Sequence, residues 1–474
     1  MTGSLKHIIA ASGISFGTSG ARGLVSDFSD AVVAAFTQSF LQVMQAEFAV
    51  SRIAIGIDNR PSSPAMAAAC SGAAQALGIA VDYYGVLPTP ALAYQALQDQ
   101  VPAIMVTGSH IPFDRNGLKF YRPTGEITKA DEQAIVSTSS ELTAFSCALP
   151  AVNPQAAANY IQRYTDVFAP GILQGLHIGL YEHSSAGRDL YADFFRRLGA
   201  QVTSLERTDT FVPIDTEAVA EADVAKGRAW AKAYGFDALF STDGDGDRPL
   251  IADETGTWLR GDIVGLLCAR QLGIEALAVP VSCNTAIEKS GVFSAVARTR
   301  IGSPYVIAAL EELAPKHGSV AGFEANGGFL LGSDINLNGQ TLKALPTRDA
   351  LLPGIALLAN AAATKLSLQV ASLPERFTAS DRLQNIPSDK SKALLTEATQ
   401  DSTALLNLLG MGAKQVDTIN TIDGLRISFN DGDIIHLRPS GNAPELRCYA
   451  ETNTQNAAAT LVSQVLDVLR IQLQ

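Results

Sequence analysis

Ile53-Ala-Ile-Gly-Ile57 runs directly into Asp58-Asn-Arg-Pro-Ser-Ser63, and this junction decides the fold. The first run is apolar without alternation, the pattern of a strand buried on both faces of a parallel sheet. The polar run opens a helix that closes at Leu77-Gly78, where glycine supplies the left-handed end of a helix. A further strand, Ile79-Ala-Val-Asp82, completes a βαβ unit.

The order recurs twice. His177-Ile-Gly-Leu-Tyr181 passes through His183-Ser-Ser-Ala-Gly187 into a helix ending at Leu198-Gly199 and a strand through Val202. Ala276-Leu-Ala-Val279 passes through Ser282-Cys-Asn284 into a helix starting near Ala286. Three such units, about a domain apart, predict an α/β protein with three related domains built on mixed or parallel sheets. After Leu373-Pro-Glu-Arg376 the pattern changes. A Leu-rich helix is expected, then a hairpin of Gly424–Phe429 and Ile434–Leu437 about the turn Asn430-Asp-Gly432, and a closing helix from Asn456 to Leu473. This makes a C-terminal α+β domain, and the expected divisions are 1–150, 151–255, 256–370 and 371–474.

With 474 residues the chain exceeds one ordinary core. Its 47% apolar and 17% charged residues are globular proportions. A net charge of −12 argues against a nucleic-acid partner, since a phosphate backbone needs clustered Lys and Arg. Five scattered cysteines without a CxxC pair exclude a disulfide framework or zinc site and point to a reducing cytoplasm. The segment MTGSLKHIIAASG lacks the features of a signal peptide. Gly354 to Val370, interrupted by Lys365, reads as a buried helix rather than a membrane span.

Four loops carry candidate chemistry. Ser241-Thr-Asp-Gly-Asp-Gly-Asp-Arg248 follows the strand Ala238-Leu-Phe240. Its glycines let Asp243, Asp245 and Asp247 converge, and three converging carboxylates repel unless a hard cation neutralises them. A solvated acidic turn is the plainer reading of such a run. An EF-hand is excluded, because Arg248 stands where that loop needs glycine and strands flank the site. Met105-Val-Thr-Gly-Ser-His-Ile-Pro112 ends another apolar strand and offers Ser109 as an exposed hydroxyl on a tight turn, beside His110. No G-x-S-x-G elbow surrounds it, and an ordinary loop is the alternative. Lys119, just beyond, can serve as acid or base if its pKa is lowered, or be a solvated surface charge. In Arg438-Pro-Ser-Gly-Asn-Ala-Pro-Glu-Leu-Arg447, two guanidinium groups, a hydroxyl and a glycine-permitted nest suit a phosphate dianion, though either Arg can equally be a surface charge. Gly322-Phe-Glu-Ala-Asn-Gly-Gly328 presents a carboxylate and an amide suited to vicinal hydroxyls.

Together and in this order, the four loops resemble the α-D-phosphohexomutase family. Phe16-Gly-Thr-Ser-Gly-Ala-Arg-Gly23, Gly56-Ile-Asp-Asn-Arg-Pro-Ser-Ser63, Leu87-Pro-Thr-Pro-Ala91 and Arg260-Gly-Asp262 extend the resemblance over nearly the whole chain. It implies four domains around a central active-site cleft. It implies that Ser109 is a phosphoserine, and that Asp243, Asp245 and Asp247 bind Mg²⁺ together with a phosphoserine oxygen. Glu324 and Asn326 would read sugar hydroxyls, and Arg438, Ser440, Gly441, Asn442 and Arg447 would hold the non-reacting phosphate. Arg22, His110, Lys119 and Arg248 match positions lining the reacting centre. The substrate class implied is a hexose phosphate, interconverted between its 6- and 1-phosphates through a hexose 1,6-bisphosphate. Phosphomannomutase is the first expectation, with phosphoglucomutase and phosphoglucosamine mutase as alternatives. A metal-dependent phosphatase or a non-catalytic sugar-phosphate binder represents other classes. The sequence departs from the family pattern at Ile111 (usually Asn), Asn326 (usually Ser) and Asn442-Ala443 (usually Thr-Glu).

Overall fold

The computed structural model describes residues 3–17, 19–439 and 445–473. The strand Arg52–Ile57 is buried from Ile53 onward, because parallel neighbours flank it on both sides, Ala80–Val86 and Ala103–Val106. Its sheet has the order Ser15–Phe16, Ala21–Leu24, Arg115–Arg122, Ala103–Val106, Arg52–Ile57, Ala80–Val86, with the short Gly125–Glu126 beside Arg115–Arg122. The helix Ser63–Ala76 links Arg52–Ile57 to Ala80–Val86.

The other two βαβ units repeat this wiring. In the second sheet, His177–Tyr181 lies between Gln201–Leu205 and Ala238–Thr242, both parallel, and Pro249–Ala252 is antiparallel at the edge. In the third, Ala276–Pro280 lies between Ala295–Thr299 and Val320–Phe323, and Phe329–Leu331 returns antiparallel. Each sheet thus contains the spatial order second, first, third, fourth, with only the fourth strand reversed. The protein is a mixed α/β molecule with several mixed sheets. A hydrophobic cluster including Tyr84, Leu180, Phe240, Leu277 and Leu357 runs continuously through all three sheets.

The C-terminal sheet is entirely antiparallel, in the order Phe377–Gln384, Glu445–Thr452, Ile434–Pro439, Leu425–Phe429, Val416–Asn420. The anticipated hairpin is present, with Leu425 opposite Leu437 and Ile427 opposite Ile435. The helix Gln455–Leu473 lays Leu461, Val465, Leu466 and Leu469 on one face of this sheet. That core is separate from the continuous one, and polar contacts join the last sheet to the third. Thr285 N donates to Glu451 Oε2 at 3.0 Å, and Ile301 N donates to Asp423 Oδ2 at 3.0 Å.

Two element readings are corrected. The stretch Gly354 to Val370 is not one helix but parts of two, Leu351–Ala361 and Leu366–Ala371, because a turn at Ala362–Thr364 lets Leu366 re-enter the core. The segment after Arg376 begins with the strand Phe377–Gln384, paired along its length with Glu445–Thr452, before the helices Ser388–Gln400 and Ser402–Leu408. Its alternation was too polar to separate an edge strand from a loop. Among the described residues no helix is long and apolar enough to cross a membrane.

Two histidines make the fold acid-sensitive. His183 and His436 are 0% and 2% exposed, and burial pushes each imidazole down to about 4, against partial support from the carbonyls of Thr242 and Asp423. An unfolded histidine takes up its proton near pH 6.5, so the unfolded chain binds more protons between about pH 6.5 and 4. The stability associated with each neutral imidazole is therefore complete above that window and lost on descending through it, about 3 kcal/mol per site. Urea unfolding measured from pH 7 to 4 should show a falling midpoint, and His436→Gln should flatten that slope. An equally steep slope in the variant would contradict the assignment.

Candidate active site

The three α/β sheets place their chemistry at equivalent points. Ser109 lies in the turn between Ala103–Val106 and Arg115–Arg122, the aspartates between Ala238–Thr242 and Pro249–Ala252, and Glu324 between Val320–Phe323 and Phe329–Leu331. In each case the turn joins the third strand to the reversed fourth.

Ser109 has φ +55°, a left-handed backbone that a serine adopts only when its surroundings hold it there. The holding group is Arg60. Its buried guanidinium donates to the carbonyl oxygens of Ser109 at 2.8 Å, Ile111 at 2.5 Å, Pro112 at 2.7 Å and Arg115 at 2.9 Å. Arg60 is itself fixed by Asp58 Oδ2, which also accepts from Thr107 Oγ1 at 2.7 Å. The Phe211 ring lies 4.0 Å beneath the guanidinium. Gly108 makes room for Arg60, since a Cβ there would sit 2.6 Å from Cζ. Ser109 itself is buried, not exposed as the sequence suggested. The acidic loop closes over it, with Gly244 packed so tightly that a Cβ would lie 2.9 Å from the Ser109 carbonyl.

Ser109 Oγ donates to Asp243 Oδ2 at 2.7 Å, so the hydroxyl and the acidic loop meet across two sheets. Oxygens of Asp243, Asp245 and Asp247 lie within 4.8 Å of one another, and all three side chains are buried. The tight loop requires the left-handed Gly246, φ +72°. Lys119 Nζ bridges Asp245 Oδ2 at 2.5 Å and Asp247 Oδ2 at 2.7 Å, so it is no surface lysine. Thr89 Oγ1 donates to Asp245 Oδ2 at 2.6 Å. Burial alone would raise all three carboxyl groups. It lifts Asp243 well above the usual range, helped by repulsion from its two neighbours. Lys119 and Thr89 overcome burial at Asp245, and Arg348 leads in overcoming it at Asp247, so both stay below that range. Asp245 Oδ1 and Asp247 Oδ1 are buried and accept no hydrogen bond from the described residues. Orphaned carboxylate oxygens beside a serine hydroxyl are the donor set a hard divalent cation takes, so the residues fit such a metal.

Around this centre stand the other expected groups. Arg248 Nη1 donates to His110 Nδ1 at 2.9 Å, and His110 Nδ1 lies 3.5 Å from Ser109 Oγ. Burial, then the charges of Arg248 and Arg22, push His110 well below its ordinary range, so the imidazole is neutral. Burial and Arg248 push Arg22 down to about 10, still charged at neutral pH. Glu324 and Asn326 are both buried. The Asn326 amide oxygen accepts from Gly328 N at 3.0 Å, and its carbonyl from Thr216 Oγ1 at 2.7 Å. Arg438 and Arg447 occupy directly opposed positions on neighbouring antiparallel strands, with Arg382 opposite Arg447 on the other side. Arg438 Nε lies 2.9 Å from Asp423 Oδ2. Glu445 lies 3.6 Å from Arg382 and 3.7 Å from Arg447, so three guanidinium groups share two carboxylates, and the excess positive charge suits this face to phosphate. Among the described residues no hydrogen bond or ion pair joins Arg438 or Arg447 to the Ser109 cluster. Ser440, Gly441, Asn442 and Ala443 lie outside the described residues.

Sequence reasoning missed Thr89 and Arg348 as site residues, and gave Arg60 no role. Thr89 and Arg60 sat in quoted motifs. Arg348 carried no local signal, because its meaning depends on partners 101 and 24 residues away.

Comparison with known proteins agrees with this geometry. Residues 13–144, 260–377 and 384–468 match the family models for phosphoglucomutase/phosphomannomutase α/β/α domain I, α/β/α domain III and the C-terminal domain. A curated phosphomannomutase of Salmonella muenchen is 56% identical over 98% of this chain and 98% of its own length. One from Sinorhizobium fredii is 44% identical over 96% of this chain and 99% of its own. The crystal structure of a phosphoglucomutase/phosphomannomutase family protein from Burkholderia thailandensis superposes with a TM-score of 0.75 at 20% identity, covering 96% of this chain and 97% of that one. The chain belongs to the phosphoglucomutase/phosphomannomutase family, the α-D-phosphohexomutases. It is accordingly an isomerase of the phosphomutase type.

Replacing Asp245 by Asn removes one of the converging charges while keeping the side-chain shape. Calorimetric titration of Mn²⁺ should then show affinity weakened by at least about tenfold. Unchanged affinity would mean that the metal is held elsewhere.

Proposed function

We propose that the protein is a phosphomannomutase that interconverts mannose 6-phosphate and mannose 1-phosphate through a phosphorylated Ser109 and a hexose 1,6-bisphosphate. The observation that carries the mechanism is the Ser109 hydroxyl, held in a left-handed turn and 2.7 Å from Asp243. The preference for mannose rests on identity: two phosphomannomutases are 56% and 44% identical to this chain, whereas phosphoglucosamine mutases matched over similar lengths are 24–27% identical.

Phosphoryl transfer depends on positioning and charge neutralisation more than on covalent chemistry. In the first half-reaction the bond from phosphorus to Ser109 Oγ breaks and a bond to the free sugar hydroxyl forms, giving the bisphosphate. The proton of that hydroxyl passes, through His110 with its neutral ring or through Lys119, to the Ser109 oxygen that leaves phosphorus. Arg22 and Arg248 supply positive charge beside the transferring group. A bound Mg²⁺ at Asp243, Asp245, Asp247 and the phosphoserine would add further charge neutralisation. The intermediate then turns around and returns its other phosphate to Ser109. Arg438, Arg447 and the Ser440–Asn442 segment grip whichever phosphate is not reacting. Glu324 and Asn326 accept or donate hydrogen bonds to the sugar hydroxyls.

We assign four domains with divisions near 150, 255 and 370, the last of them closing on the ligand to exclude water. The separate C-terminal core and its polar junction with the third sheet support that motion. A hexose phosphate as the partner and a cytoplasmic location complete the reading, supported by five free cysteines.

Intact-mass measurement of the purified protein should reveal one extra phosphoryl group, absent from Ser109→Ala, together with a loss of activity of at least about a thousandfold. A fully active Ser109→Ala enzyme would falsify the mechanism. Coupled assays with mannose, glucose and glucosamine 1-phosphates should give the highest kcat/KM for mannose. A higher value for either of the others would reassign the sugar.

A further inference from the structure

Arg348 stands outside every motif singled out in the sequence, yet its side chain touches three of the loops that build the cleft. Nε donates to Asp247 Oδ2 at 3.0 Å, Nη1 donates to Glu324 Oε2 at 3.0 Å, and Nη2 reaches Ser19 Oγ at 3.4 Å. All of this is buried: the side chain is 3% exposed, with Asp247 at 1% and Glu324 at 6%. The guanidinium comes from the strand Leu345–Asp349 at the edge of the third sheet. It lies along Gly328. A Cβ at that position would be 2.5 Å from Arg348 Cδ and 2.7 Å from Cγ, so only glycine leaves the seat open.

We propose that Arg348 is a positioning residue that couples sugar binding at Glu324 to metal binding at Asp247, a role that rests on the function proposed above. The planar guanidinium fixes the relative orientation of Nε and Nη1, so the two carboxylates it bridges cannot reorient independently. Sugar hydroxyls that engage the free oxygen of Glu324 fix the fork, and the fork fixes Asp247. A cation drawn to Asp247 meets a carboxylate already in place. The coupling is reciprocal, because whatever one ligand does to the affinity of the other is returned by the same factor. Lysine cannot replace this group, since an ammonium is a point charge without the fixed fork.

The test measures Mn²⁺ affinity by calorimetry in a Ser109→Ala background, where no transfer occurs, with and without saturating mannose 1-phosphate. Inorganic phosphate serves as the parallel arm, because it reports direct phosphate–metal attraction without sugar hydroxyls. Mannose 1-phosphate should tighten Mn²⁺ binding about tenfold more than inorganic phosphate does. In Arg348→Met that excess should shrink to within about twofold. Gly328→Ala leaves the charge present but blocks its seat, and it should lose the excess equally. It also carries the test if the methionine variant fails to fold. The double variant should lose nothing more, and Arg348→Lys should not restore the excess. Persistence of the full excess in either Arg348→Met or Gly328→Ala would overturn the coupling role. Failure of the Ser109→Ala protein to bind mannose 1-phosphate at all would instead sink the functional reading on which it rests.

Discussion

Three buried carboxylates within 4.8 Å of one another are the constraint around which the molecule is arranged. Such charges are tolerable only if cations compensate them, because low local dielectric makes their repulsion far stronger than in water. The compensation does not come from their own sheet alone. Lys119 arrives from the first sheet and Arg348 from the third, while Arg248 follows the acidic loop itself. Domain packing and active-site electrostatics are therefore one problem. The loops must come together for the charges to be balanced, and the balanced charges hold the loops together.

The repeated sheet explains how they come together. In each α/β unit the third strand is parallel and the fourth reverses, so the turn between them projects from the same end of the sheet. Ligands gather outside the carboxyl ends of strands in open α/β sheets, and here three such ends face one another. One supplies a hydroxyl, one the three aspartates and one the Glu324 carboxylate. The groups behind these side chains are themselves held in place. Asp58, Arg60 and Thr107 fix the serine turn, and Thr89 fixes Asp245. Rigid elements under the strained serine turn keep its hydroxyl placed.

The C-terminal sheet works differently. Its core is its own, and Glu451 and Asp423 tie it to the third sheet through hydrogen bonds rather than buried apolar surface. Polar junctions of that kind part more easily than hydrophobic ones. Asp423 also lies against Arg438, so the contact that ties the sheets shares a carboxylate with one guanidinium of the arginine row. In the row Arg382, Arg447, Arg438 three guanidinium groups share two carboxylates, Glu445 and Asp423, which leaves that face with positive charge to spare for an anionic ligand.

Much of this was legible in the sequence. Unbroken apolar runs ending at polar, glycine-containing loops determined the three βαβ units. A dense alternation of aspartate and glycine marked the acidic loop, and the order of four loops along the chain marked the family. These features are local, and spacing along the chain records them. The edge strand Phe377–Gln384 escaped because its side chains alternate too weakly to separate it from a loop. The burial of Ser109 escaped because its cover comes from a loop 134 residues away. Lys119 read equally well as a surface charge until the fold set it between two aspartates. Arg348 had no signal at all, since a guanidinium takes its role from the carboxylates it meets. The sequence by itself determined which strands and loops exist and what chemistry each loop can carry. Only the tertiary structure decided which charges become partners, because pairing depends on distances through space between segments far apart in the chain.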